Sequence, residues 1–151
     1  AVRVRTEDGQ CNDNIDIRKP VGIEIEYEVL KPDCKFRAGF HVSNEEGQII
    51  FVSIEQDPVW RNRVRPRGRY RSIGWIPGNY LAEGTMIIDV GLDTVQPRDP
   101  QVRVPQAVAF HVTDTNDGDS ARGDYAGNLP GVVRPLLKWS NEFNEEDIRR
   151  E

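Results

Sequence analysis

The residues that most constrain the fold are Gly68–Leu92, which read GRYRSIGWIPGNYLAEGTMIIDVGL. The first part, Tyr70–Trp75, is rich in residues that favour strands. Pro77-Gly78-Asn79 and Glu83-Gly84 are typical turn residues. From Thr85 the apolar residues recur at every second position, the period of a strand with one buried face: Met86, Ile88, Val90 and Leu92. The segment therefore predicts a strand, a tight corner and a second strand.

Two further segments show the same alternation. Val21–Leu30 is the clearest strand, with Val21, Ile23, Ile25, Tyr27 and Val29 on the buried face and Glu24, Glu26 and Glu28 predicted as a solvated row. Phe36–Val42 is predicted to turn Phe36, Ala38, Phe40 and Val42 inward and Arg37, Gly39 and His41 outward. Asn44–Gly47 then predicts a hairpin loop, because Gly47 can adopt a left-handed conformation.

The remaining segments complete the pattern with shorter or weaker signals. We expect strands at Val2–Arg5, Gln48–Ile54 and Val108–Val112, polar loops at Glu7–Asp16 and Thr113–Asn128, an irregular edge crossing with three prolines at Thr94–Pro105, and a final extended segment at Val132–Trp139. About eight short strands without an amphipathic helix predict an all-β fold, an antiparallel β-sandwich of immunoglobulin-like or jelly-roll topology.

Length and composition suit a single domain. The chain has 151 residues and a net charge of -5, which argues against a nucleic-acid-binding protein. We expect one domain over residues 1–140 and a polar tail over 141–151 that is either helical or disordered. The sequence shows no signal peptide, and its first residue is Ala1 while Met86 is its only methionine, so we expect Ala1 to be an internal position of a longer protein. Cys11 and Cys34 are predicted to be free thiols.

Four features together carry a resemblance to a known family. They are the I-P-G-N corner closed by A-E-G, the strand Gly22–Leu30, the F-H-V-S-N-E-E-G turn and the segment Ala121–Trp139. The chain resembles the C-terminal domain of the Wzt-type ATP-binding subunit of bacterial ABC exporters for O-antigen and related surface polysaccharides. No G-x-x-x-x-G-K-[ST] motif is present, so the nucleotide-binding part of such a subunit is absent from this sequence.

The resemblance implies a non-catalytic carbohydrate-binding module. It would recognise a lipid-linked polysaccharide of the O-antigen type in the cytoplasm, at the inner face of the inner membrane, without a cofactor or a metal. Its partners would be the ATPase domain of the same parent chain, the transmembrane partner of that subunit and a second copy of the domain. The apolar segment Val132–Trp139 is expected to contribute to this homodimer.

Two other functions are open. The first is a structural or dimerisation domain that binds no sugar directly. The second is a small sugar-processing enzyme, which the sequence disfavours: Glu24, Glu26 and Glu28 lie on one strand face, and a solvated row does not supply two carboxylates in different environments.

We expect the binding surface to be the outward face of the sheet that contains Phe36–Val42, with its adjoining loops. Trp60 would stack on a sugar ring, and the other candidates would act as hydrogen-bond donors. The candidate residues are Arg37, His41, Trp60, Arg69, Arg71 and His111.

Four other features favour structural interpretations. Arg61–Arg67 is predicted to be solvated, and Trp75 is predicted to cap the core rather than bind sugar. Asp114–Asp119 has the oxygen ligands of a calcium loop, but it fails the EF-hand spacing and is interpreted as a plain polar loop. His41 and His111 lack further ligands at metal-binding spacing.

Overall fold

The computed structural model describes residues 1–95 and 98–144. Its strands are β1 (Val2–Arg5), β2 (Asn14–Asp16), β3 (Val21–Val29), β4 (Phe36–Ser43), β5 (Ile49–Ile54), β6 (Gly68–Ile76), β7 (Gly84–Val95) and β8 (Arg98–Thr113). They form a three-stranded sheet in the order β1-β3-β6 and a five-stranded sheet in the order β2-β8-β7-β4-β5. This confirms the predicted all-β sandwich. Within the described residues no helix is long and apolar enough to cross a membrane.

One hydrophobic core lies between the two sheets and is built from the alternating apolar positions of the sequence. Ile23 of β3, Val42 of β4 and Ile88 of β7 are completely buried. The sheets approach closely at Gly74 of β6, where an added Cβ would lie 2.6 Å from the ring of Phe40 on β4. The inward faces predicted for these strands are therefore confirmed.

The irregular crossing predicted over Thr94–Pro105 is wrong. β7 and β8 pair instead as a long antiparallel ladder that extends from Gly84 opposite Val112 to Val95 opposite Arg98. Pro97 lies outside the described residues; Pro100 and Pro105 are tolerated because β2 pairs only with residues 111–113 of β8, so the rest of β8 has a neighbour on one side only. On such an edge a missing backbone N–H costs no hydrogen bond of the ladder. The prediction of a polar loop over Glu7–Asp16 is also wrong at its end, because strand β2 lies there.

The glutamate row on β3 is solvated only in part. Glu24 is 1% exposed, because β1 places Arg3 directly opposite it. Arg3 Nη1 lies 2.8 Å and Arg5 Nε 3.0 Å from the Glu24 carboxylate. The hydrogen bonds from Arg5 and Arg3 lower the pKa of Glu24 despite its burial. The prediction missed this because an isolated strand does not reveal which charges its neighbour carries.

The segment Val132–Trp139 is anchored along the Pro77-Gly78-Asn79 corner but forms only one isolated bridge, so the predicted final strand is corrected. Arg134 N donates to Tyr80 O at 2.7 Å, and Leu136 N donates to Asn79 O at 3.1 Å. On the other side of the corner, Asn79 N donates to Ile17 O at 2.7 Å. The corner is therefore held between an early and a late segment of the chain.

A buried ion pair fixes the start of this late segment. Arg134 is 7% exposed and its guanidinium lies 2.6 Å from the carboxylate of Glu83, which also pairs with Arg122. Burial alone would raise the pKa of Glu83, but the hydrogen bonds from both arginines lower it overall. Beyond this anchor Leu136 and Leu137 are exposed, and residues 141–144 have no regular secondary structure. Most of the tail predicted over 141–151 lies outside the described residues.

Candidate functional site

A groove of about 380 Å³ lies on the outward face of the five-stranded sheet, across β4, β5, β7 and β8. Its floor is formed by Gly39 of β4 and Gly91 of β7, which are paired across the ladder. Because neither residue has a side chain, the sheet has a depression where two outward side chains would otherwise stand. The Arg103 side chain lies across it, since a Cβ added to Gly91 would be 2.4 Å from Arg103 Nη1.

The walls of the groove are apolar. Val52 and Ile54 of β5 are 49% and 45% exposed, and they lie opposite His41 and Gly39 of β4. These side chains line the groove rather than the core. Exposed β-branched residues around a concave site provide an apolar surface without mobile side chains. The groove can therefore accept the C–H face of a ring.

Charged groups occupy one end of the groove. Arg37 of β4 is paired across the ladder with Asp93 of β7. Arg103 Nη1 lies 2.6 Å from Asp93 Oδ1, and Arg98 Nε lies 3.9 Å from Asp93 Oδ2. All four side chains belong to residues that line the groove. This end presents several guanidinium donors around one carboxylate.

The other end combines His41 and Asp89, which are opposite each other on β4 and β7. At Asp89 the register of β7 and β8 shifts, so that residues 105–107 bulge outward. Gln106 has a φ of 48° and donates its backbone N–H to Asp89 Oδ1 at 2.7 Å. A bulge commonly re-aims side chains next to functional sites. Here it fixes a carboxylate beside an exposed imidazole.

The polar groups of the groove can bind a ligand through hydrogen bonds. The groove provides hydrogen-bond donors from Arg37, Arg103 and His41 and acceptors from Asp89 and Asp93, all on paired strands. Val52 and Ile54 form the apolar part of the groove beside these polar groups, and the Arg103 guanidinium lies over the Gly91 part of the floor. A ligand that presents both hydroxyl groups and C–H surfaces matches this distribution.

The structure brings together only part of the predicted site. Arg37 and His41 both line the groove. Arg69 and Arg71 project from the outer face of the opposite sheet, where they lie 4.0 Å from Glu26 and 3.9 Å from Glu24. His111 is exposed as predicted, but it lies beyond the groove at the β2 end of β8, where its Nδ1 is 3.2 Å from Thr85 Oγ1.

Trp60 is half-buried on the loop that joins β5 and β6. Its ring packs edge-on against Tyr70, with 5.4 Å between the centroids. The solvated run predicted at Arg61–Arg67 is corrected at Arg65, which is 2% exposed. Arg65 lies over the rings of Tyr27, Trp60 and Tyr70 and pairs with Glu55 at 2.7 Å. Trp60 is therefore part of an ordered cluster rather than an isolated loop side chain.

Trp75 does not lie where the sequence predicts it. Trp75 is 49% exposed and lies over Gly22 on the outer face of the three-stranded sheet, so the predicted core cap is wrong.

In the acidic loop, Asp114 accepts a hydrogen bond from Ser120 Oγ at 2.5 Å. Asp117 and Asp119 form ion pairs with Arg18 at 3.2 and 3.4 Å. These carboxylates hold the loop to the body of the domain.

The groove contains residues that the sequence interpretation did not select. These residues lie on β5, β7 and β8: Val52, Ile54, Asp89, Asp93, Arg98, Arg103 and Val104. Asp89, Gly91 and Asp93 alternate with the buried residues of β7, so the sequence itself indicates that they face outward. The sequence does not indicate that these residues lie next to Arg98 and Arg103, because the prolines of β8 resembled loop residues and no ladder between β7 and β8 was predicted.

Comparisons with known proteins agree on one family. The model of the Wzt C-terminal domain family matches residues 1–124. The crystal structure of the C-terminal domain of Wzt superposes with a TM-score of 0.71 at 12% identity, covering 94% of this chain and 81% of that one. At that identity the structural match concerns the fold alone. No curated protein matches the sequence.

Proposed function

The chain belongs to the Wzt C-terminal domain family, and from that premise we propose that it is a non-catalytic carbohydrate-binding module of a polysaccharide ABC exporter. Its ligand would be a surface polysaccharide of the O-antigen type, carried on a lipid. Export would then depend on binding of the glycan to this module.

The observation that carries the proposal is the glycine-floored groove on the five-stranded sheet. A sugar ring has C–H faces, which fit the apolar surface of Val52 and Ile54. Its hydroxyl groups project at the ring edge, where the polar ends of the groove offer both donors and acceptors. The sheet holds these groups in place before the ligand arrives, which reduces the entropy cost of binding.

Arg37 and His41 are proposed as ligand contacts, with Asp89, Asp93 and Arg103 beside them. Of the other predicted residues, Trp60 adjoins the groove through Arg37, with which it lines a smaller cleft. Arg69, Arg71 and His111 would contact a glycan only if it left the groove. Their substitution therefore separates groove binding from binding over a wider surface.

The cellular setting is also a proposal. Family membership supports an exporter context, in which the module would act in the cytoplasm at the inner face of the inner membrane. Its partners would be the ATPase domain of the parent chain and the transmembrane partner of that domain.

We further propose that the module forms a homodimer through Val132–Trp139. The end of the described chain carries apolar side chains in water: Leu136 is 50%, Leu137 60%, Trp139 82% and Phe143 81% exposed. Exposed apolar groups this close together commonly mark an interaction surface. A second copy of the chain would cover them.

The same tail favours one alternative, a structural or dimerisation domain that binds no sugar. Calorimetric titration with the polysaccharide of the source organism separates the two functions. Saturable binding to that polymer, with none to an unrelated neutral polysaccharide, supports the module. A flat titration against the correct polymer, with a folded protein, rejects it.

A further inference from the structure

A second cleft lies where the sandwich is open at one side. β5 is an edge strand of the five-stranded sheet and β6 an edge strand of the other, so no ladder joins them. Between them is a cleft of about 400 Å³, lined by residues 53–57 and 70–74 together with Trp60 and Arg65. Ala38, Gly39, Phe40 and Ile54 line both this cleft and the glycine-floored groove.

The base of this edge cleft is polar and ordered. Glu55 accepts hydrogen bonds from Arg65 Nη2 at 2.7 Å and from Ser72 Oγ at 3.1 Å. Arg65 Nε is a buried polar atom that has no hydrogen-bond partner in the structure. Buried polar groups normally have partners, and exceptions often mark functional sites. The cleft thus has fixed acceptors, spare donor capacity and an aromatic wall in Trp60.

The edge cleft is continuous with the groove. A smaller polar cleft of about 150 Å³ shares Glu55, Trp60 and Arg65 with the edge cleft. The same small cleft reaches Arg37 and Val95, both of which also line the groove. Three depressions therefore follow one another around the end of β4 and β5, and Arg37 and Trp60 are the residues at their junctions.

From this continuity we propose that the edge cleft is a second subsite for the same glycan chain. A sugar unit further along the polymer would pack against Trp60 and hydrogen bond to Glu55 and the polar groups beside it, after the chain has passed Arg37. The inference rests on the proposed function, since it extends the groove into a track for several units. It predicts that affinity grows with glycan length.

The test compares the intact polysaccharide with a fragment of one repeating unit, both titrated into the full chain by calorimetry. The variant Gln56→Trp narrows both clefts beyond the groove, because Gln56 is an exposed residue that lines each of them. We expect about tenfold weaker binding of the intact polymer, or ~1.4 kcal/mol, and an unchanged affinity for the fragment. Equal effects on both probes, or no effect on either, would overturn the second subsite.

A spectroscopic readout keeps the test independent of the variant's stability. The chain has three tryptophans, so its ¹⁵N spectrum contains three indole signals, which Trp→Phe variants assign. The intact polymer should shift the Trp60 signal, whereas the fragment should not, and Trp75 on the opposite sheet is the internal control. Binding of both probes without a Trp60 shift rejects the subsite alone. Failure of the wild-type chain to bind either probe rejects the proposed function itself.

Discussion

Gly39 and Gly91 face each other across the β4–β7 ladder, and the space above this pair is the centre of the groove. Gly91 has no left-handed φ, so a larger residue fits its backbone without strain. Only the flexible end of Arg103 stands in the way of a side chain there. A larger side chain at position 91 can therefore fill the groove without disrupting the sheet.

We expect Gly91→Leu to weaken polysaccharide binding by at least about tenfold, because its side chain would occupy the place of the sugar ring. The free energy of unfolding should change by less than about 1 kcal/mol, since glycine is itself unfavourable within a strand. Calorimetry and urea denaturation measure the two effects. Ala109→Leu is the control, as Ala109 is exposed on β8 outside the groove. Full affinity in Gly91→Leu would contradict the groove as the binding site.

Four of the six predicted contact residues form two groups that single substitutions can compare. Arg37→Ala and His41→Ala should each lower affinity by about 1–2 kcal/mol, a size typical of interface residues that matter. Arg69→Ala and His111→Ala should leave affinity unchanged within about twofold, since neither residue lines the groove or the edge cleft. An equal loss in both groups would mean that the glycan contacts both faces of the domain.

Glu24 should make stability depend on pH. Its pKa is lower in the folded protein than its ordinary value of 4.5. The ionised form is therefore favoured by folding, and this contribution is present above pH 4.5 and lost as the pH falls through the folded pKa. Glu24→Gln should lower the free energy of unfolding by about 1–3 kcal/mol at pH 7 and reduce the loss on acidification.

Urea denaturation at neutral and acidic pH checks the prediction for Glu24. Glu28→Gln is the matched control, because Glu28 lies on the same strand face but is exposed. Identical pH profiles for the two variants would show that burial beside Arg3 and Arg5 does not set the pKa of Glu24.

Arg65 should be more important for stability than any other arginine between residues 61 and 67. Arg65→Met removes one partner of a buried ion pair and leaves Glu55 without its cation, at a cost of about 3 kcal/mol. Arg63→Met, at an exposed position, should be neutral. Adding Glu55→Gln to Arg65→Met should recover part of the loss. A fully additive further loss would show that the two charges do not interact.

The tail makes a prediction about assembly. If Val132–Trp139 forms the dimer contact, Leu136→Glu combined with Leu137→Glu should give a monomer by light scattering at high micromolar concentration. Leu30→Glu is the control, since Leu30 is 64% exposed but lies far from the tail. A monomeric mass for the wild-type chain under the same conditions would contradict the homodimer.

Local alternation predicted most of the strands because each inward position repeats with period two. It placed Phe40, Val42 and Ile88 in the core, as the structure confirms. It failed at β8, where Pro100 and Pro105 resemble loop residues although their backbone lies at an unpaired edge. Whether a strand has a second neighbour is a property of the whole sheet and is not encoded locally.

Of the residues in the candidate site, the sequence interpretation selected only Arg37 and His41. Arg69 and Arg71 follow the same outward alternation, but β6 belongs to the other sheet, so their side chains point away from the groove. Arg65 resembled its solvated neighbours because its three aromatic partners come from separate parts of the chain. Such contacts depend on topology, which alternation does not determine.

The corner at Asn79 and Tyr80 has a consequence for the order of folding. Its backbone bonds reach back to Ile17 and forward to Arg134 and Leu136, so it closes two long loops at once. Contacts between residues so distant in sequence form slowly, because the entropy of loop closure opposes them until the partners meet. A chain emerging from the ribosome cannot complete this corner until residue 136 has left the exit tunnel. The domain should therefore reach its native state only after nearly all of it has been synthesised.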